Sequence, residues 1–195
     1  MHVFFKVVIN TENFHIVVFS SKIHQNTCNQ SIAGLLESGL ETEQTLRGLS
    51  DDEILLAELQ WDFKFPKAYY LFLKYFGQSS QCFIDQDWNV ESLPFAKELS
   101  LEVAGRNNLE LDDWFPFSER QWYSFVSFKI GGLEIENPEV MLVVEGDEGA
   151  KVSHYPSFTD WFLNNFESYL KLLVMLEKPG SKLQLAQFEK LMLAP

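Results

Sequence analysis

The sequence predicts an α+β fold: a mostly antiparallel central sheet flanked by helices, with a hairpin-like appendage at the N-terminus. Three observations predict it. Helix-start signatures at Ser50 and Ser157 stand before and after a run of consecutive β-rich segments, the order expected when helices and strands segregate along the chain. Turn residues at Asn107-Asn108, Gly131-Gly132 and Gly146-Asp147-Glu148-Gly149 separate several of those segments, spacings that suit antiparallel neighbours. With 195 residues, 46% hydrophobic and 15% aromatic, the chain can bury a sizeable core.

In chain order, Phe4 to Ile9 and Phe14 to Phe19 are β-rich runs separated by Asn10-Thr11-Glu12-Asn13, a composition suited to a hairpin turn. Ser21 to Gln30 reads as loop, and Ile32, Leu35 and Leu36 as a helical turn or two closed by Gly39. These make an appendage over residues 1–40, and the domain proper spans 41–195. Ser50-Asp51-Asp52-Glu53 fits a capping box, with Ile54, Leu55, Leu56 and Leu59 following at helical spacing. Pro66 suits the first turn of a second helix and Gly77 the left-handed residue just past its end.

Strands are expected at Gln81 to Asp85, Leu99 to Val103, Gln121 to Ile130, Val140 to Glu145 and Lys151 to Tyr155. The second rests on its Leu-Ser-Leu-Glu-Val alternation. In the third, Trp122, Ser124, Val126, Phe128 and Ile130 face one way and Tyr123, Phe125, Ser127 and Lys129 the other. Both faces are apolar enough to be covered, which puts Trp122 in the core. Ser157 and Asp160 open a helix carrying Trp161, Phe162, Leu163, Phe166, Leu170, Leu173 and Val174, and Pro179-Gly180 stops it. Leu185, Phe188 and Met192 form a last apolar stripe, expected to pack on the domain.

Composition narrows the function. No apolar run approaches the ~20 residues needed to cross a bilayer: Lys6, Asn10 and Glu12 interrupt the first, and Asn164, Asn165, Glu167 and Lys171 the last. The start lacks a basic segment and a cleavage site, so a secretory signal is not expected. Cys28 and Cys82 have no partner at metal spacing and suit a reducing compartment, so the cytoplasm is the expected location. Between Asp85 and Glu148 stand 15 Asp or Glu against four Lys or Arg, which places −11 of the chain's −13 in that stretch. Such a field repels phosphate backbones and disfavours direct nucleic-acid binding. It attracts basic partners.

Signals for chemistry are weak. There is no Gly-x-Ser-x-Gly elbow, and His2, His15, His24 and His154 are scattered outside any metal-binding motif. The glycines reproduce neither the phosphate-loop nor the dinucleotide fingerprint, and no cofactor is expected. Asp85, Asp87, Asp112, Asp113, Asp147 and Glu148 are the best chemical candidates, since clustered carboxylates can hold a cation or share a proton. All three pairs fall in expected turns, where acids are solvated or cap local N–H groups. Asp85-Gln86-Asp87-Trp88-Asn89 begins a calcium-loop pattern but lacks its glycine and closing glutamate. Trp88 and Trp114, flanked by acids, are the aromatic candidates for an interface.

A helix through Trp61, the Phe65-Pro66 step, Tyr69-Tyr70, Phe72-Leu73 and a terminal Gly77 resemble the opening of the SUKH superfamily, the glucan-synthesis-regulator-like and bacterial toxin-immunity proteins. Trp114-Phe115-Pro116-Phe117 is similar to that family's approach to its central strands, Asn137-Pro138-Glu139-Val140 to its step into a later one, and Ser157-Phe158-Thr159-Asp160-Trp161-Phe162 to its closing signature. The resemblance covers roughly residues 50 to 170, most of a typical domain. It implies a non-enzymatic protein that binds another protein: an immunity protein neutralising a toxin domain such as a nuclease, or alternatively a regulatory scaffold of the cell-wall type. Combined with the charge, it makes Asp85, Asp87, Trp88, Asp112, Asp113, Trp114, Asp147 and Glu148 the expected partner-binding set. The acids would steer a basic domain inward, and the aromatics would set its dissociation rate.

Overall fold

The computed structural model describes residues 6–10, 13–17, 42–80, 87–131 and 136–175. Strands β1 (Lys6–Asn10) and β2 (Asn13–Val17) pair antiparallel with Asn10 opposite Asn13 and form a sheet of their own, at the place of the expected hairpin. The helical turn expected around Ile32, Leu35 and Leu36, the strand expected at Gln81 to Asp85 and the terminal stripe of Leu185, Phe188 and Met192 lie outside the described residues.

Helix α1 (Asp51–Trp61) starts at Ser50 through a complete capping box. The Glu53 N–H donates to the Ser50 hydroxyl at 3.3 Å, and the Ser50 N–H donates to the Glu53 carboxylate at 2.7 Å. The chain reverses through Asp62, left-handed at φ 48°, and enters α2 (Lys67–Phe76) after Pro66. Gly77 departs from its expected role: its φ is −65°, not left-handed. Glycine is needed there for space, because a Cβ would stand 2.4 Å from the Leu73 carbonyl oxygen.

A 3₁₀ turn, Val90–Ser92, leads into α3 (Leu93–Asn107), which replaces the strand expected at Leu99 to Val103. Over five residues Leu-Ser-Leu-Glu-Val fits a period of two. Over fifteen, Leu93, Ala96, Leu99, Ser100, Val103 and Ala104 are buried at helical spacing, with Pro94 in the first turn and left-handed Asn108 as the cap.

Strands β3 (Trp114–Arg120), β4 (Ser124–Lys129), β5 (Val140–Gly146) and β6 (Gly149–Tyr155) form an antiparallel sheet in sequential order. β3 carries Pro116, which a strand tolerates at a sheet edge, and a register shift between Pro116 and Ser118 accommodates it. β4 is shorter than expected, because Gln121 and Trp122 take left-handed φ of 48° and 64° and turn the chain. Helix α4 (Phe158–Met175) begins at Ser157, whose hydroxyl accepts from the Asp160 N–H at 3.2 Å.

The sheet is covered on both sides, as β4's two apolar faces require. One face packs Phe115, Phe117, Val126, Phe128 and Val140 against Ile54 and Ala57 of α1, the rings of α2, and Phe158, Trp161, Phe166 and Tyr169 of α4. On the other, Phe125, Met141 and Val143 meet Leu99 and Val103 of α3. No helix among the described residues is long and apolar enough to cross a membrane.

Candidate protein-docking surface

The strand register decides which of the expected site residues can act together. Asp147 and Glu148 form the exposed two-residue loop between β5 and β6, closed by the Gly146–Gly149 pair and by Gly149 at φ +105°. Beside them the end of α3 is tied to β5: Arg106 donates to both Glu145 carboxylate oxygens at 2.9 and 2.6 Å, and Asn107 to one of them at 3.0 Å. These bonds, Arg106's first, hold the Glu145 carboxyl below its usual range. Asn107 also accepts from the Ala150 N–H at 2.9 Å, which fixes the loop against the helix.

Because the sheet is antiparallel, the β3–β4 turn emerges at the same end as this loop, and the Glu145 N–H donates to the Tyr123 carbonyl at 2.7 Å. That turn exposes Trp122, which is 56% accessible. The alternation that placed Trp122 in the core ends at Ser124; its left-handed backbone carries the ring outward. Nearby, Asp87 pairs with Glu119 on the outer edge of β3 through two backbone hydrogen bonds of 2.9 and 3.0 Å. Burial, reinforced by Asp87's carboxyl group, pushes the Glu119 carboxyl above its ordinary value, against the Trp122 N–H that reaches it at 3.4 Å. This end of the sheet therefore brings Asp87, Glu119, Trp122, Asp147 and Glu148 to one rim.

Asp112, Asp113 and Trp114 sit elsewhere. They enter β3 beside Lys129, whereas the β5–β6 loop lies some six residues along the strands, on the order of 20 Å away. Both acids are exposed in a turn, where the Ile130 N–H donates to the Asp113 carbonyl at 2.6 Å. Trp114 is half-buried, with the His154 ring 5.8 Å from its own and the Lys129 ammonium 5.8 Å above it. Glu139 joins both, 2.8 Å from His154 Nδ1 and 3.8 Å from Lys129 Nζ.

Trp88 is not on the surface: it belongs to the core, and its indole N–H donates to the Phe76 carbonyl at 3.0 Å. Its acidic sequence neighbours suggested exposure, but a buried carbonyl at the end of α2 supplies the partner that lets an indole go inside. Asp85 lies outside the described residues. Sequence reasoning missed Glu119 and misplaced Trp122; the Arg-Gln-Trp-Tyr step between apolar stretches was the available turn signal. Among the described residues, no three His, Cys, Asp or Glu side chains gather closely enough to hold a metal ion.

Compared with known families, residues 48–164, more than half of the chain, match the model of the SMI1 / KNR4 family (SUKH-1). No curated protein and no solved structure matches.

Proposed function

The chain belongs to the SMI1 / KNR4 family (SUKH-1), and from that premise we propose that it is an immunity protein that binds a basic toxin domain, such as a nuclease, through the hairpin end of its sheet. It performs no chemistry of its own; it covers the partner's active surface. The observation that carries this reading is the exposed Trp122 set among Asp87, Glu119, Asp147 and Glu148. A large aromatic desolvated at the centre of an interface contributes far more than its share of affinity. Acids around it accelerate encounter with a positively charged surface. Asp112 and Asp113, at the far end, add to the steering field, and with Trp114 they lie outside the central contact.

The test is affinity capture of the tagged protein from its source cells at low and high salt, with mass spectrometry of the bound fraction. One basic protein is expected, released by salt, and the purified pair then gives rates. Trp122→Ala should raise the dissociation rate at least tenfold, and Asp147→Lys with Glu148→Lys should slow association and flatten its salt dependence. Asp112→Lys with Asp113→Lys should change association less. Recovery of host regulatory proteins instead would favour the scaffold reading of the family, and binding indifferent to Trp122 would remove the hairpin rim from the site.

A further inference from the structure

Helix α1 carries an apolar stripe that packs against none of the core among the described residues. Ile54 and Ala57 point into the core, whereas Leu55, Leu56 and Leu59 are 52%, 65% and 69% exposed. Residues three and four apart are neighbours on a helix, so these leucines form one continuous face. A single exposed leucine is ordinary, but a contiguous apolar strip on an otherwise solvated helix marks a surface made to be covered.

The surrounding charge says by what. From Asp51 to Asp62 the chain has five acids and no Lys or Arg. Three have partners within the fold: Asp51 accepts from Lys74 at 2.7 Å and Tyr70 at 2.5 Å, Glu53 caps Ser50, and Glu58 accepts from the Phe65 N–H at 2.8 Å. Asp52 lies three residues before Leu55 and Asp62 three after Leu59, both exposed, so they bracket the stripe at its two ends. A second copy of this chain fits poorly. Packing two α1 helices antiparallel across the leucines would set Asp52 of one against Asp62 of the other at both ends, like charge on like charge.

We propose that the Leu55–Leu56–Leu59 face of α1 is a second docking site, distinct from the hairpin rim, and that its occupant is a basic amphipathic helix of a partner protein. The occupant would place two or three large apolar residues at spacings of three and four over the leucines. Lys or Arg at either end of that helix would meet Asp52 and Asp62. Helix-in-groove recognition of this type is read through such anchors.

The experiment uses the full chain and two synthetic helical peptides with the same leucines at i, i+3, i+4 and i+7, one flanked by Lys and the other by Glu. Fluorescence anisotropy is measured against the wild type and the variant Leu55→Gln/Leu56→Gln/Leu59→Gln, which keeps good helix formers on the exposed face. Saturable binding of the Lys-flanked peptide is expected, at least tenfold weaker for the Glu-flanked peptide and at least tenfold weaker for the variant. The variant's Tm should match the wild type's, since the leucines contribute little to the chain's own core. Equal affinity for both peptides, or no binding of either, would overturn the proposal. So would a marked fall in Tm, which would mean the chain covers this face itself. Sedimentation showing a wild-type dimer that the variant dissociates would assign the face to a second copy instead.

Discussion

Tyr69 is fully buried, with the rings of Phe65, Phe128, Phe117 and Phe158 between 5.0 and 5.8 Å from its own. Its hydroxyl has no hydrogen-bond partner among the described residues, and burial pushes its pKa upward. Tyr69→Phe keeps the ring contacts and removes an unmet polar group, so stability should rise by about 1 kcal/mol, read as a higher urea midpoint. A loss of that size would reveal a partner for the hydroxyl. Glu119 presents the opposite kind of stress. Burial raises its folded pKa above the ordinary 4.5, so the unfolded chain gives up this proton first as pH rises. Glu119's contribution is complete below 4.5 and is lost as pH climbs through the raised folded value. Glu119→Gln should therefore flatten the decline of stability in mildly acid solution, and an unchanged profile would show that the shift is absent. Residue-level exposure was the least legible property of the sequence: Trp88 and Trp122 exchange expected places because one carbonyl and two left-handed backbone angles decide the matter.

At the scale of elements, caps were legible and close approaches were not. Ser50 and Ser157 announce their helices because a hydroxyl and a carboxylate three residues apart satisfy free N–H groups locally. Leu99 to Val103 misled because a five-residue window cannot separate a strand from one face of α3. Gly48 gave no signal, yet it holds the segment before α1 against α2. A Cβ there would lie 1.8 Å from the Lys74 carbonyl oxygen and 2.9 Å from the Tyr75 Cα. On either side of it, the Leu49 N–H donates to the Leu73 carbonyl at 3.0 Å and the Arg47 N–H to the Ser79 carbonyl at 2.9 Å. Backbone cannot yield as a flexible side chain can, so Gly48→Ala should cost at least about 2 kcal/mol, visible as a lower urea midpoint with an unchanged slope. A neutral result would mean that the two segments separate without penalty.

For the whole molecule, the charge of −13 is a cost to folding as well as an aid to encounter. The ion pairs Lys74–Asp51, Arg106–Glu145 and Lys129–Glu139 are solvent-exposed on at least one side, and pairs in water-facing positions contribute little net stability. Acids on both ends of the sheet and along α1 instead repel one another over a range that salt shortens. Raising the ionic strength from about 0.01 to 0.15 M cuts the screening length from about 30 to 8 Å. That change weakens repulsion between the hairpin rim and the Asp112–Asp113 turn, on the order of 20 Å apart, more than it weakens pairs held at 4 Å or less. The Tm should therefore rise with added salt, equally for sodium and potassium chloride, and calorimetry across that range measures it. A Tm that falls would show that the close ion pairs outweigh the repulsion between the acidic ends of the sheet.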